Sequence, residues 1–227
     1  MEKEIILYHG SNRIITCPQY GIGSRYNDYG MGFYCTQSLN LAKEWAVDDD
    51  RDGYANEYAF NTEDLTVLDL SDEKYNMLNW LAILLQNRLF DVQSDFGEEA
   101  KQYLIKHFDA QYQEYDVIIG YRADDSYFSF AQDFLNNAIS LSVLSSAMRL
   151  GKLGKQIVLK SEKAFRNIQF QQAIPAEATI WMPQKRERDS RARRDYFASR
   201  KVPWKKGEIY MMQILEEEME ADDARLR

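Results

Sequence analysis

The chain predicts an α+β fold, because short apolar runs and helix-spaced segments alternate in irregular order rather than as a repeating strand, helix, strand unit. Its 227 residues, 45% hydrophobic and 13% aromatic, suffice for one substantial core. No internal repeat or low-complexity linker divides it.

Glu4 to Tyr8 reads as a strand that runs out into His9-Gly10-Ser11. A loop punctuated by Gly21, Gly23, Gly30 and Gly32 leads to a brief β-prone segment, Gly32 to Thr36. Ser38 is placed to cap a helix whose apolar face carries Leu39, Ala42, Trp45 and Ala46. Tyr54 to Phe60 and Leu65 to Leu70 predict further strands, and Tyr75 to Phe90 and Glu98 to Phe108 have helical periodicity. Tyr115 to Gly120 reads as a buried strand and Tyr127 to Leu150 as helical, stopped by Gly151 and Gly154 before the apolar run Ile157 to Leu159.

Composition changes after Pro183, so residues 1–183 are expected to form one domain and 184–227 an extension packed on it or continuing it. Lys185 to Lys206 holds ten Lys or Arg against three acids, whereas Glu216 to Asp223 is almost entirely acidic. Taking that +7 from the formal charge of -8 leaves -15 for the remainder. Nucleic-acid binding by the whole surface is therefore disfavoured, but a local basic face with Tyr196, Phe197 and Trp204 has the mixture used for phosphate contact and base stacking. A solvated helix face, or pairing of the two opposite blocks, explains the same charges.

Cys17 and Cys35 form neither a disulfide framework nor a zinc pattern, which fits a reducing, cytoplasmic setting and no metal. The N-terminus lacks a basic leader, and the longest apolar stretch, Leu78 to Leu85 broken by Asn79, is too short for a bilayer, so no membrane role is expected.

Leu7-Tyr8-His9-Gly10-Ser11 resembles the first motif of poly-ADP-ribose-polymerase-like ADP-ribosyltransferases, a strand ending in His-Gly-Ser. Tyr29-Gly30-Met31-Gly32-Phe33-Tyr34-Cys35-Thr36 resembles the second, a Gly-x-Gly-apolar-Tyr run, 25 residues on from His9 to Tyr34. Trp45 stands where that family commonly carries a second aromatic. Lys155-Gln156-Ile157-Val158-Leu159 resembles the third motif, with Gln156 in place of the acid that heads the strand. The likeness covers roughly residues 4 to 46 and 150 to 160, and is similar to a bacterial toxin-like branch found in two-gene modules.

The resemblance implies a split β-sandwich with flanking helices, NAD⁺ as substrate, and catalytic positions at His9, Tyr34 and Gln156. Tyr34 and Trp45 would clamp the cationic nicotinamide ring, Gly10 would meet its carboxamide, and His9 and Ser11 would hold ribose hydroxyls. Gln156 can accept from the ribose but brings no charge, which disfavours chain elongation and leaves mono-ADP-ribosylation or slow NAD⁺ hydrolysis. Gln156→Glu is accordingly expected to keep NAD⁺ binding and preserve or raise turnover. Arg122 and Asp125, beside the strand end at Gly120, are further candidates for phosphate contact and proton transfer, or Asp125 for a helix cap.

Three functions compete: a mono-ADP-ribosyltransferase toxin acting on a protein or nucleic acid, an NAD⁺ glycohydrolase, and a pseudo-enzyme that binds NAD⁺ or ADP-ribose. The basic segment is expected to dock the acceptor or an acidic partner such as an antitoxin.

Overall fold

A computed structural model of the chain describes residues 3–90, 92, 94–122, 125–148, 154–199 and 206–226, with backbone alone at 125–128 and 199. Two sheets and eight helices give an α+β architecture among the described residues. The first sheet has the order β1 (Glu4–Ser11), β3 (Gly53–Asn61), β7 (Ile168–Ala176), all antiparallel. The second has the order β2 (Phe33–Cys35), β6 (Lys155–Leu159), β5 (Val117–Tyr121), β4 (Val67–Asp69), and only β4 and β5 run parallel.

Alternation along the strands explains how the layers stack, since successive side chains point to opposite faces. Ile5 and Leu7 of β1, Tyr58 and Phe60 of β3, Phe33 and Cys35 of β2, Val117 and Ile119 of β5, and Ile157 and Leu159 of β6 form one buried cluster between the sheets. The opposite parity of the second sheet, Leu68, Ile118 and Val158, faces a larger helical core. That core takes α2 (Met77–Asn87), α3 (Asp95–His107), α4 (Asp125–Leu135), α5 (Leu141–Ala147) and α8 (Met211–Glu216). Asn79, the polar break in the apolar run of α2, accepts from the Asn76 N–H at 2.9 Å and donates to the Phe108 carbonyl at 3.0 Å.

Helix α1 (Leu39–Ala46) starts where expected, with the Ser38 hydroxyl accepting from the Leu41 N–H at 3.3 Å. It lies on β1 so closely that a Cβ at Gly10 would stand 2.1 Å from the Ala42 carbonyl oxygen. Gly10 therefore has a packing reason to be glycine, whatever it binds.

The region predicted as one helix from Tyr127 to Leu150 is two, α4 and α5, and positions 149–153 lie outside the described residues. After α6 (Glu162–Arg166) comes β7, which the sequence reading did not anticipate. Pro183 lies inside α7 (Ala178–Ser199). Ala192 and Tyr196 of α7, with Met211, Ile214 and Met219 after it, join the helical core. No described helix is long and apolar enough to cross a membrane.

Candidate functional site

The two sheets meet at one backbone pair, Tyr8 with Thr36, whose N–H groups and carbonyls exchange bonds of 2.8 and 2.9 Å. Past it, β1 stays with β3 and β2 with β6, and a cavity of about 1110 Å³ opens beside the split. His9, Gly10, Tyr34, Trp45, Gln156 and Arg122 all line it. Ser11 is not among the lining residues, and its hydroxyl accepts from the Arg13 N–H at 3.4 Å. The side chain of Asp125 lies outside the described residues; its backbone stands in the first turn of α4.

Beyond the Tyr8 and Thr36 bridge, the His9 side chain takes over the link between β1 and β2. Its Nδ1 lies 2.7 Å from the Tyr34 carbonyl oxygen, an acceptor only, so Nδ1 carries the proton in the neutral ring and Nε2 is left as an acceptor. Burial lowers the His9 pKa below its usual value, against the opposing pull of that carbonyl, and favours the neutral ring. Phe33 stacks on it at 4.4 Å between ring centres.

The Tyr34 hydroxyl donates to the Gly30 carbonyl at 2.6 Å and accepts from the Tyr29 N–H at 3.0 Å. Gly30 has φ +70°, a left-handed conformation that glycine adopts without strain. Burial pushes the Tyr34 phenol well up, so it stays protonated as this donor requires. Its neighbour Tyr29 is fully buried and donates to the Tyr121 carbonyl at 2.6 Å. Lys160 donates to the Tyr29 and Met31 carbonyls, and burial lowers its ammonium to about 8.

This bracing fixes Asp28, a cavity-lining residue 5% exposed that the sequence reading did not single out. Its Oδ2 accepts from Gln156 Nε2 at 3.1 Å, and its Oδ1 is 3.4 Å from Nε of Arg88, the residue after α2. Gln156, 4% exposed at the start of β6, is thereby oriented with its amide nitrogen toward the carboxylate. Its Oε1 has no hydrogen-bond partner among the described residues. A buried amide oxygen left unpaired costs on the order of 1–3 kcal/mol, and here it belongs to a residue that lines the cavity.

Trp45, on α1, has the Arg122 guanidinium 4.6 Å from its ring centre, so the chain itself supplies one cation to this aromatic. The other walls come from the segment after β1, whose Ile15 N–H donates to Asn56 Oδ1 at 3.0 Å and whose Ile15 carbonyl accepts from the Tyr58 hydroxyl at 2.6 Å. Asn56 is fully buried and also donates to the His9 and Arg13 carbonyls. Lys185, Asp189 and Arg193 of α7 also line the cavity, which with Arg13, Arg88 and Arg122 brings five cationic side chains to it.

The basic segment does not pair with the acidic block among the described residues. Arg188 pairs with Glu44 of α1, Arg186 with Asp49, and Arg191 and Arg194 with Glu187, whereas Glu217 and Asp223 pair with Arg225, and Glu220 with His107. Tyr196, expected as a stacking surface, is 1% exposed and packs on Phe130. Phe197 is exposed, and Trp204 lies outside the described residues. No group of three or more His, Cys, Asp or Glu is arranged to hold a metal among the described residues.

No curated protein and no solved structure shows detectable similarity to the chain. A family model described as "Protein of unknown function (DUF3990)" matches residues 5–170, which span β1 to the first residues of β7 and hold His9, Asp28, Tyr34, Trp45 and Gln156 of the cavity. That match covers well over half of the sequence, and the chain belongs to this family.

Proposed function

We propose that the cavity binds NAD⁺ and that the chain is a mono-ADP-ribosyltransferase with the split β-sandwich of that superfamily. The observation that carries the reading is the buried, unpartnered Oε1 of Gln156, a residue that lines the cavity together with His9, Tyr34 and Trp45. A ribose hydroxyl is a donor of the right kind for Gln156 Oε1, and a second ribose hydroxyl suits the acceptor Nε2 of His9. At about 1110 Å³ the space lies just above the range of most small-molecule sites, roughly 300–1,000 Å³, which leaves room for a dinucleotide. Arg13, Arg122, Lys185 and Arg193 in the lining suit a diphosphate.

In the reaction, the bond between the nicotinamide nitrogen and the ribose anomeric carbon breaks and its electron pair leaves with nicotinamide. The ribose ring gains positive charge, the acceptor's oxygen or nitrogen bonds to the anomeric carbon, and the acceptor's proton passes to solvent. The acceptor is a macromolecule and the setting a reducing one, in keeping with the free Cys17 and Cys35. A toxin of this kind would be held in check by an acidic antitoxin.

Incubating the pure protein with NAD⁺ labelled in the adenylate moiety, alone and with lysate divided into protein and nucleic acid, tests the reading. Label transferred to one fraction supports it. Free ADP-ribose alone makes the protein a glycohydrolase, and NAD⁺ binding without turnover makes it a binding protein. Absence of NAD⁺ binding rejects all three.

A further inference from the structure

Gln156 takes the place of an acid in the resemblance, and Asp28 is the buried carboxylate that touches it. We propose that Asp28 and Gln156 work as one unit, in which Asp28 is the positioning residue that holds and polarises the amide and Gln156 presents the resulting negative oxygen to the ribose. The proposal rests on the reading of the cavity as an NAD⁺ site.

An amide has one donor end and one acceptor end, and a carboxylate accepts only. With Nε2 committed to Asp28 Oδ2 at 3.1 Å, the opposite end must be the acceptor, and that oxygen is the one left unpartnered, on a residue that lines the cavity. The carboxylate draws the amide dipole along the same line, so Oε1 is more negative than in an isolated glutamine. Arg88, 3.4 Å from the other carboxylate oxygen, gives Asp28 a cationic partner in its buried position. Charge that stabilises a cationic ribose transition state is thus stationed one residue back from the reacting sugar, where it costs no reorganisation during the reaction.

The arrangement also explains why position 156 is not an acid. Glutamate there would set two carboxylates about 3 Å apart against one guanidinium, and such a pair cannot stay doubly ionised. The expectation that Gln156→Glu preserves or raises turnover is therefore reversed: alone, it should impair both stability and turnover.

Four proteins decide the point: wild type, D28N, Q156E and D28N/Q156E, the last exchanging amide and acid. Thermal melting near neutral pH should place Q156E below wild type, with the double variant regaining most of the loss. NAD⁺ titration and NAD⁺ turnover should show D28N binding within a fewfold of wild type while its turnover falls about tenfold, less than the roughly 10²–10³ lost with a donor that touches the reacting group directly. Turnover by the double variant should exceed that of either single variant. The double variant keeps one acid and one amide in the pair, so it reports even where D28N alone unfolds. Q156E as stable and active as wild type, or a double variant no better than the worse single one, overturns the proposal. Wild-type protein that binds no NAD⁺ instead rejects the functional reading and the catalytic half of the proposal, while the melting series still reports whether Asp28 and Gln156 are charge partners.

Discussion

The hydroxyl of Tyr34 donates to the carbonyl of Gly30 at 2.6 Å, closing the turn that directly follows Asp28 and Tyr29. The same oxygen accepts from the Tyr29 N–H, so one phenol satisfies both a donor and an acceptor of the backbone. Tyr34 is thus a brace for the loop that positions Asp28, as well as a wall of the cavity.

Tyr34→Phe keeps the ring and removes both bonds, leaving a buried N–H and carbonyl without this partner. Destabilisation of about 1–3 kcal/mol is expected from denaturant unfolding. NAD⁺ affinity should fall as well, because Asp28 and through it Gln156 lose their fixed geometry. If affinity holds while stability drops, the brace does not reach the ligand.

Much of the site was legible because it lies on elements with strong local signals. Short apolar runs marked β1 and β6, a brief β-prone segment marked β2, and Ser38 before an apolar helix face marked α1, so the elements that carry His9, Gln156, Tyr34 and Trp45 were legible before any contact was known. Asp28 was not legible: it stands between Asn27 and Tyr29 in a glycine-punctuated loop, and the groups against its buried carboxylate, Gln156 and Arg88, come from distant parts of the chain. Strand β7 was missed for a different reason. It lies at the edge of its sheet, exposes Gln169, Gln171, Gln172 and Pro175, and carries Gln171 as an extra residue where Gln172 pairs with Glu57 but Phe170 with Tyr58. Pro183 suggested a boundary, yet α7 continues through it because Ala192 and Tyr196 anchor the helix to the main core.

His9 should make stability depend on mildly acid pH. Burial lowers its folded pKa below the unfolded value near 6.5, so above that value neither state binds the proton. As pH falls through about 6.5 and toward the lower folded value, the unfolded chain takes up a proton that the folded one resists, and stability is lost. His9→Gln removes this linkage, while His107 and the carboxylates remain common to both proteins. The stability advantage of wild type over the variant should therefore shrink as pH is lowered through that window. A pH-independent difference in melting would mean that His9 is not held neutral. NAD⁺ affinity of the wild type should decline over the same range, since protonation converts the Nε2 acceptor into a donor.

Helix α7 separates its cations into two sets, and the separation predicts which of them touch the ligand. Lys185 and Arg193 line the cavity, whereas Arg191 and Arg194 are 63% exposed and lie near Glu187 on their own helix, at 3.9 and 3.4 Å. Exposed pairs of this kind contribute about 0–1 kcal/mol, so alanine at Arg191 and Arg194 should leave both stability and NAD⁺ binding nearly unchanged. Alanine at Lys185 and Arg193 should weaken NAD⁺ binding severalfold and flatten its salt dependence, because two cations near the diphosphate are lost. Macromolecular labelling should separate the two pairs further. If the outer face docks an anionic acceptor, the Arg191 and Arg194 variant should lose labelling at moderate salt while still binding NAD⁺, since the docking field weakens with salt more steeply than a preformed cleft does. Unchanged labelling in that variant would assign α7 to the cavity wall alone, with its charge serving NAD⁺ rather than the acceptor.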